Sequence, residues 1–238
     1  MSIISVGNVS LTLDKQRILN DISLDIRGNE IVGLIGPSGA GKTMLVKTIV
    51  GMQGCDTGNV ELFGTKMPDR KILNNIGYMA QSDALYESLS AKDNIQFFGQ
   101  LYDLEKRELN ERMGYIAELF QLEEHLKKKV SAYSGGMKRR LSFGVALIHD
   151  PDLLILDEPT VGLDPMLRKS IWKELEELRN NGKTILVTTH VMDEAIKCDR
   201  LILIRDGAII ANGKPDELLA KYHVDKIEDV FLKSEGEQ

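Results

Sequence analysis

The chain has 238 residues, a formal net charge of −6, and 42% hydrophobic and 28% charged side chains. That is enough chain and apolar content to bury a substantial core, and the acidic balance offers no long-range attraction to a nucleic acid, so no nucleic-acid partner is expected. The two cysteines, Cys55 and Cys198, are far apart with no CxxC companion, which excludes a disulfide or zinc framework.

The N-terminus "MSIISVGNVS" lacks the basic-then-apolar pattern of a signal peptide. "ISVGNVSLTL" alternates in part and "ILNDISLDI" alternates after a polar turn, so both are predicted strands. "EIVGLIG" is a continuous apolar run, the pattern of a strand buried on both faces of a parallel sheet. A glycine-rich turn follows, and then a helix over about Lys42–Val50 that Gly51 ends. "GNVELFG" and "NIGYMAQ" are two further short strands. From about Ser88 the apolar spacing changes to three and four residues between many charges, which predicts a helical lobe over roughly residues 88–150. Two buried strands, "DLLILDEP" and "KTILVTTH", flank a helix over about Leu167–Asn180. "RLILIRDGAIIANG" is a hairpin turning at Asp206–Gly207, and residues 221–238 form a helical tail beyond a main domain over 1–220. The longest apolar runs, "LLIL" and "LILI", fall far short of the 18 or so residues that a membrane span needs, so a membrane role requires another chain to supply the span.

Five motifs carry chemistry. "GPSGAGKT" (Gly36, Pro37, Ser38, Gly39, Ala40, Gly41, Lys42, Thr43) follows a buried strand and opens a helix, the context a phosphate-binding P-loop requires. Its small residues let successive N–H groups face phosphate oxygens, with Lys42 on the β- and γ-phosphates and the Thr43 hydroxyl on Mg²⁺. "LLILDEP" ends a strand in two carboxylates: Asp157 is placed to hold Mg²⁺, while alternation on the strand turns Glu158 elsewhere, free to orient a water. His190 closes "TILVTTH" at a strand's carboxyl end, where open α/β sheets bind ligands, and Gln81 closes "NIGYMAQ" in the same way. Neither is distinctive alone. Last comes "AYSGGMKRRLSFG", in which Ser134, Gly135 and Gly136 open a basic helix as a second anion-binding start. A single P-loop already lines its own phosphates. The simplest use for a second start is the ATP of another copy of the chain, held between one P-loop and the other's Ser134–Gly136. The other histidines, His125, His149 and His223, suggest nothing beyond structural roles.

Along the chain these motifs run "GPSGAGKT", Gln81, "YSGGM", "LLILDEP" with "TVGLDP" directly after, and His190, and in that order they resemble the ATP-binding subunits of ABC transporters over Ile3 to about Leu219. The resemblance implies an α/β fold: a P-loop NTPase core with a mostly parallel sheet, an N-terminal antiparallel β-subdomain and an inserted α-helical subdomain. It implies ATP and Mg²⁺ as ligands, with Thr43, Gln81 and Asp157 toward the metal. Glu158 becomes the catalytic base and His190 a switch residue, with Gln81 and Lys42 also in the catalytic set. Ser134, Gly135, Gly136 and Asp164 meet the nucleotide of the partner copy. It further implies a membrane permease, whose coupling helix enters a groove near Gln81, and a cytoplasmic location on the inner face of the membrane. Tyr133 and Met137 stand where the family usually has Leu and Gln. That variant, with "FFGQLYDL" upstream, resembles exporters of drugs, antibiotics and similar amphiphiles. Transport of lipid, polysaccharide or ions, or a non-transport role, is the alternative. Leu13 stands where the family usually stacks an aromatic on adenine, which removes about 1 kcal/mol of stacking.

Overall fold

In the "EIVGLIG" segment, alternate side chains point to opposite sides and both sides are apolar, so the strand needs a hydrophobic layer on each face. The computed structural model, which describes residues 2–82 and 84–233, provides two such layers. Strand β3 (Ile31–Ile35) sends Val32 and Leu34 into one cluster and Ile31 and Ile35 into the other. It lies inside a six-stranded sheet with β6 (Ile76–Met79), β7 (Leu153–Asp157), β8 (Thr184–Thr189), β9 (Arg200–Arg205) and β10 (Ala208–Gly213), ordered β10-β9-β3-β8-β7-β6. Neighbours from β9 to β6 run parallel, and only the terminal β10 is antiparallel, joined to β9 through Asp206–Gly207. The anticipated mostly parallel sheet is therefore present.

A second sheet covers one face. It is antiparallel, ordered β2-β1-β4-β5, with β1 at Ser2–Leu13, β2 at Gln16–Arg27, β4 at Thr57–Leu62 and β5 at Thr65–Lys66. Helix α1 (Lys42–Ile49) lies between the sheets and buries Leu45, Val46 and Ile49. It ends where Gly51 takes a positive φ of 77° and its N–H bonds the Thr48 carbonyl at 3.1 Å.

The other face is covered by the helical lobe, α2 (Ala91–Leu101), α3 (Lys106–Leu119) and α4 (Gly135–Leu147), and by α5 (Pro165–Asn180). Ser90 and Asp93 form a capping box that starts α2. Short α6 (Met192–Ala195), α7 (Pro215–Tyr222) and α8 (Ile227–Lys233) complete the chain. None of the described helices is long and apolar enough to cross a membrane.

Polar contacts as well as packing hold the lobe together and join it to α5 and β6. Arg112 on α3 caps α4, its guanidinium donating to the carbonyls of Leu147 and Ile148. The Tyr115 hydroxyl donates to Glu174 on α5. His149 stacks on Tyr102, ring centres 3.6 Å apart, and its Nε2 meets the Ile76 carbonyl at 3.1 Å. Burial is the main force pushing the His149 pKa down, from 6.5 to about 4. The imidazole therefore stays neutral in the fold down to that pH while the unfolded chain protonates near 6.5. Its contribution to stability is complete above pH 6.5 and is lost as pH falls towards 4. Partial exposure reduces this to about 2 kcal/mol. Urea unfolding of His149→Phe should accordingly show a shallower loss between pH 7 and pH 4.5 than wild type, and parallel losses would reject this assignment.

Candidate active site

Three parallel strands end side by side on one edge of the sheet, and each delivers part of the site. Strand β3 passes into Gly36, where the Cβ of any other residue would fall 2.2 Å from the Ile204 carbonyl oxygen. The loop then turns outward: Pro37, Ser38 and Gly39 are exposed. Gly39 and Gly41 take positive φ values of 82° and 100°, which glycine adopts without strain. The Ala40 N–H closes back on the Pro37 carbonyl at 3.2 Å, and the Ala40 carbonyl accepts from Gly207 N–H at 3.1 Å, tying the loop to the β9–β10 turn. Lys42 is buried, and its Nζ donates to the carbonyls of Gly36 at 2.7 Å and Pro37 at 2.9 Å. Burial lowers the Lys42 pKa, and the carboxylates of Glu158 and Asp157 oppose that shift.

Strand β7 ends at Asp157, whose side chain is fully buried. Its Oδ2 accepts the Thr43 hydroxyl at 2.9 Å, and its Oδ1 accepts the hydroxyl of Thr188 on β8. Glu158 has a φ of 54°, in the left-handed region, and its N–H donates to both the carbonyl (3.1 Å) and the hydroxyl (3.0 Å) of Thr188. The two adjacent carboxylates thus diverge because the chain turns left-handed at Glu158. Strand alternation, which the sequence suggested as the cause, does not apply, since the strand has already ended. Glu158 Oε1 lies 2.9 Å from Nδ1 of His190, which follows β8. Thr43, Asp157, Glu158 and His190 are thereby linked through Thr188 in a continuous chain of hydrogen bonds.

Ser134 N-caps α4, its Oγ accepting from the Met137 N–H at 3.3 Å. Ser134 and Gly135 are exposed and Gly136 is half-buried. No described contact joins them to Gly36–Thr43 of the same chain. A Cβ on Gly136 would sit 3.5 Å from the Gly162 carbonyl, so the start of α4 adjoins the turn that leads to Asp164. Asp164 N-caps α5, accepting from Leu167 N–H at 3.0 Å. Gln81 is exposed just past β6, and its backbone carbonyl accepts from Arg139 at 2.9 Å. Leu13 is half-buried at the end of β1, against the core between the sheets.

The family profile described as "ABC transporter" matches residues 19–161. The chain belongs to the ABC transporter family. It is 38% identical over 232 residues to ABC transporter G family member 20 of Dictyostelium discoideum, across 97% of this chain but 32% of that protein. To Nod factor export ATP-binding protein I of Ralstonia nicotianae it is 40% identical over 220 residues, 91% of this chain and 68% of that one. The chain thus spans about a third of the Dictyostelium relative and two thirds of the Ralstonia one. Its fold matches a solved ATP-binding subunit of an ABC transporter with a TM-score of 0.91, 26% identity and coverage of 98% and 99% of the two chains. A dimeric ATP-binding cassette solved in a post-hydrolysis state with ADP and Pi gives a TM-score of 0.82 and 26% identity, over 89% of this chain and 98% of that one.

This ABC chain also contains site residues that the motifs did not announce. Thr188 links Asp157 to Glu158. Buried Glu194 accepts the hydroxyls of Thr160 at 2.6 Å and Thr189 at 3.0 Å, with Arg168 Nε at 3.8 Å. It thereby ties the segment after Glu158 to the one before His190. No local pattern in the sequence announces either residue. The two departures from the usual ABC signature have packing explanations. Tyr133 is buried and its hydroxyl donates to the His125 carbonyl at 2.9 Å, and Met137 packs against the lobe's core. A largely apolar groove of about 750 Å³, lined in part by Met52, Pro68, Leu85, Phe98 and Tyr102, opens between α1 and the lobe beside Ala80 and Ser82.

Proposed function

We propose that this chain is the ATP-hydrolysing subunit of an ABC exporter, acting as a pair that closes on ATP and opens after hydrolysis. The observation that carries the reading is the linked set Thr43–Asp157–Thr188–Glu158–His190 at the mouth of the Gly36–Thr43 loop. Exposed loop residues and the buried Lys42 ammonium suit a triphosphate, whose charged oxygens are stronger acceptors than the two carbonyls Lys42 now uses.

The Thr43 hydroxyl and the Asp157 carboxylate are hard oxygen donors of the kind Mg²⁺ prefers, with Gln81 as a further candidate. When bound, Mg²⁺ neutralises charge developing on the phosphates. Glu158 takes the proton of the attacking water, and His190, held against it, fixes the carboxylate's orientation. Ser134, Gly135 and Gly136 serve the γ-phosphate held by a second copy, with Asp164 in the adjoining turn. Leu13 takes the adenine side without ring stacking. The apolar groove beside Ala80 and Ser82 receives a helix of the membrane permease, which places the pair on the inner face of the membrane. The relatives named for Nod factor export, together with the Tyr133–Met137 variant, support export of an amphiphile.

The test is phosphate release by the purified chain with ATP and Mg²⁺, alone and with a polytopic membrane protein that co-purifies with it. Turnover accompanied by ATP-dependent pairing is the expected result. ATP binding without phosphate release under either condition would reject the ATPase reading, and co-purification of ribosomes or DNA would reject transport.

A further inference from the structure

The basic run Lys138–Arg139–Arg140 follows Ser134–Gly136 on α4 and has no part in the proposed chemistry so far. Successive helix residues point about 100° apart, and the three cations go separate ways. Lys138 pairs with Glu87, and Arg140 donates to the Phe120 carbonyl at 3.1 Å within the lobe. Arg139 turns into the core and is 6% exposed. One nitrogen of its guanidinium donates to the carbonyls of Ala80 at 3.0 Å and Gln81 at 2.9 Å, and the other donates to the carbonyls of Asp157 and Glu158.

A single side chain on the lobe's helix therefore grips the backbone just past β6 and that at the end of β7, two successive carbonyls of each. A buried guanidinium is expensive unless its donors are satisfied. Placing one at this junction, and not in the middle of the lobe, gives the lobe a rigid planar fork against the catalytic strand ends. Glu158 shows the consequence. Its N–H is held by Thr188 and its carbonyl by Arg139, so both peptide units around its left-handed φ are fixed. Any rigid movement of α4 must carry through Arg139 into the backbone that aims the Glu158 carboxylate.

We infer that Arg139 is a positioning residue that makes the chain's own hydrolytic carboxylate sensitive to what its Ser134–Gly136 helix start has bound. This rests on the paired-site reading above. A second chain's triphosphate docked on Ser134–Gly136 fixes α4, α4 fixes Arg139, and Arg139 sets Glu158. In a pair whose two sites act cooperatively, Arg139 is the contact within the chain through which occupancy of one site reaches the hydrolytic carboxylate of the other.

The test compares full-length wild type, Arg139→Met and Arg139→Lys for binding of a fluorescent ATP analogue, thermal midpoint, ATP-dependent pairing and phosphate release against ATP concentration. Arg139→Met should bind the analogue within about twofold of wild type yet turn over about tenfold more slowly. Its Hill coefficient should fall to about 1 from a wild-type value above 1, for which the two sites of the pair set the ceiling. Arg139→Lys, whose ammonium reaches only some of the four carbonyls, should recover part of both losses. Wild-type turnover and cooperativity in both variants would overturn the role of Arg139 while leaving the paired ATPase intact. Loss of analogue binding together with turnover, or a collapsed thermal midpoint in both variants, would reduce Arg139 to a support of the fold. A wild-type chain that neither pairs nor releases phosphate would remove the paired-site reading itself, and this inference with it.

Discussion

Glu158→Gln is expected to bind ATP with little change in affinity and to release phosphate at least about 100-fold more slowly than wild type. General-base groups contribute on the order of 10²–10⁴ to rate, and an amide cannot accept the proton that a carboxylate can. The substitution is otherwise conservative at this site. The side-chain oxygen that meets His190 Nδ1 at 2.9 Å is retained, and the backbone bonds to Thr188 do not depend on the side chain. The left-handed φ of 54° suits Gln no worse than Glu. The fold should therefore survive while the cycle stops after closure. Light scattering during gel filtration should show a stable pair in ATP and Mg²⁺, whereas wild type returns to single chains as ATP is consumed. A monomeric Glu158→Gln at saturating ATP would defeat the paired-site reading. Wild-type turnover would instead move the base elsewhere.

Local physical constraints made much of this molecule legible from its sequence. The apolar run ending in "GPSGAGKT" permits little except a buried strand, a tight loop and a helix, and β3, the loop and α1 follow in that order. The Asp206–Gly207 turn and the three- and four-residue spacing of the lobe were readable for the same reason. The first strand was only partly readable because its alternation is interrupted. The pairing of β1 with β2 shifts register between Val6 and Val9, around Asn8 at a φ of 49°, which resets which side chains face inward. The helix after the carboxylates starts at Pro165, two residues before the apolar periodicity begins, because Asp164 caps it.

What the sequence did not disclose lies between segments. Thr188 joins Asp157 and Glu158 from 31 and 30 residues away, and Arg139 reaches Gln81 across 58. Glu194 unites Thr160 and Thr189 only because β7 and β8 are neighbours. No local pattern encodes such contacts, since a threonine near a strand's end or an arginine in a basic run is unremarkable until the sheet brings its partners near. The left-handed turn at Glu158 was hidden for a related reason. It is stabilised by the Thr188 and Arg139 bonds, not by any preference of glutamate for that conformation.

Gly135→Asp separates the effect on the chain from the effect on the pair, because the two are expected to have opposite signs. Within the chain, a Cβ at residue 135 would meet nothing within 4 Å, and Gly135 is the exposed first residue of α4. Replacing glycine restricts the unfolded chain, an effect of up to about 1 kcal/mol where the native backbone suits the new residue. An acidic side chain in the first turn adds about 0.3–1 kcal/mol by complementing the positive end of the helix. Fold considerations alone therefore predict a thermal midpoint raised by a few degrees. The paired site reverses this. The same carboxylate would face a triphosphate on the second chain, and like charges brought together at an interface cost on the order of 3 kcal/mol, or about 150-fold in pairing. ATP binding by the chain's own Gly36–Thr43 loop should change less than about twofold, since no described contact joins that loop to Gly135. A fluorescent ATP analogue, a melting curve and light scattering measure the three quantities on one preparation. A variant that melts higher, binds ATP normally and fails to pair would place the demand for glycine at 135 in the second chain's nucleotide. One that pairs as well as wild type would leave Ser134–Gly136 as no more than the cap of a surface helix.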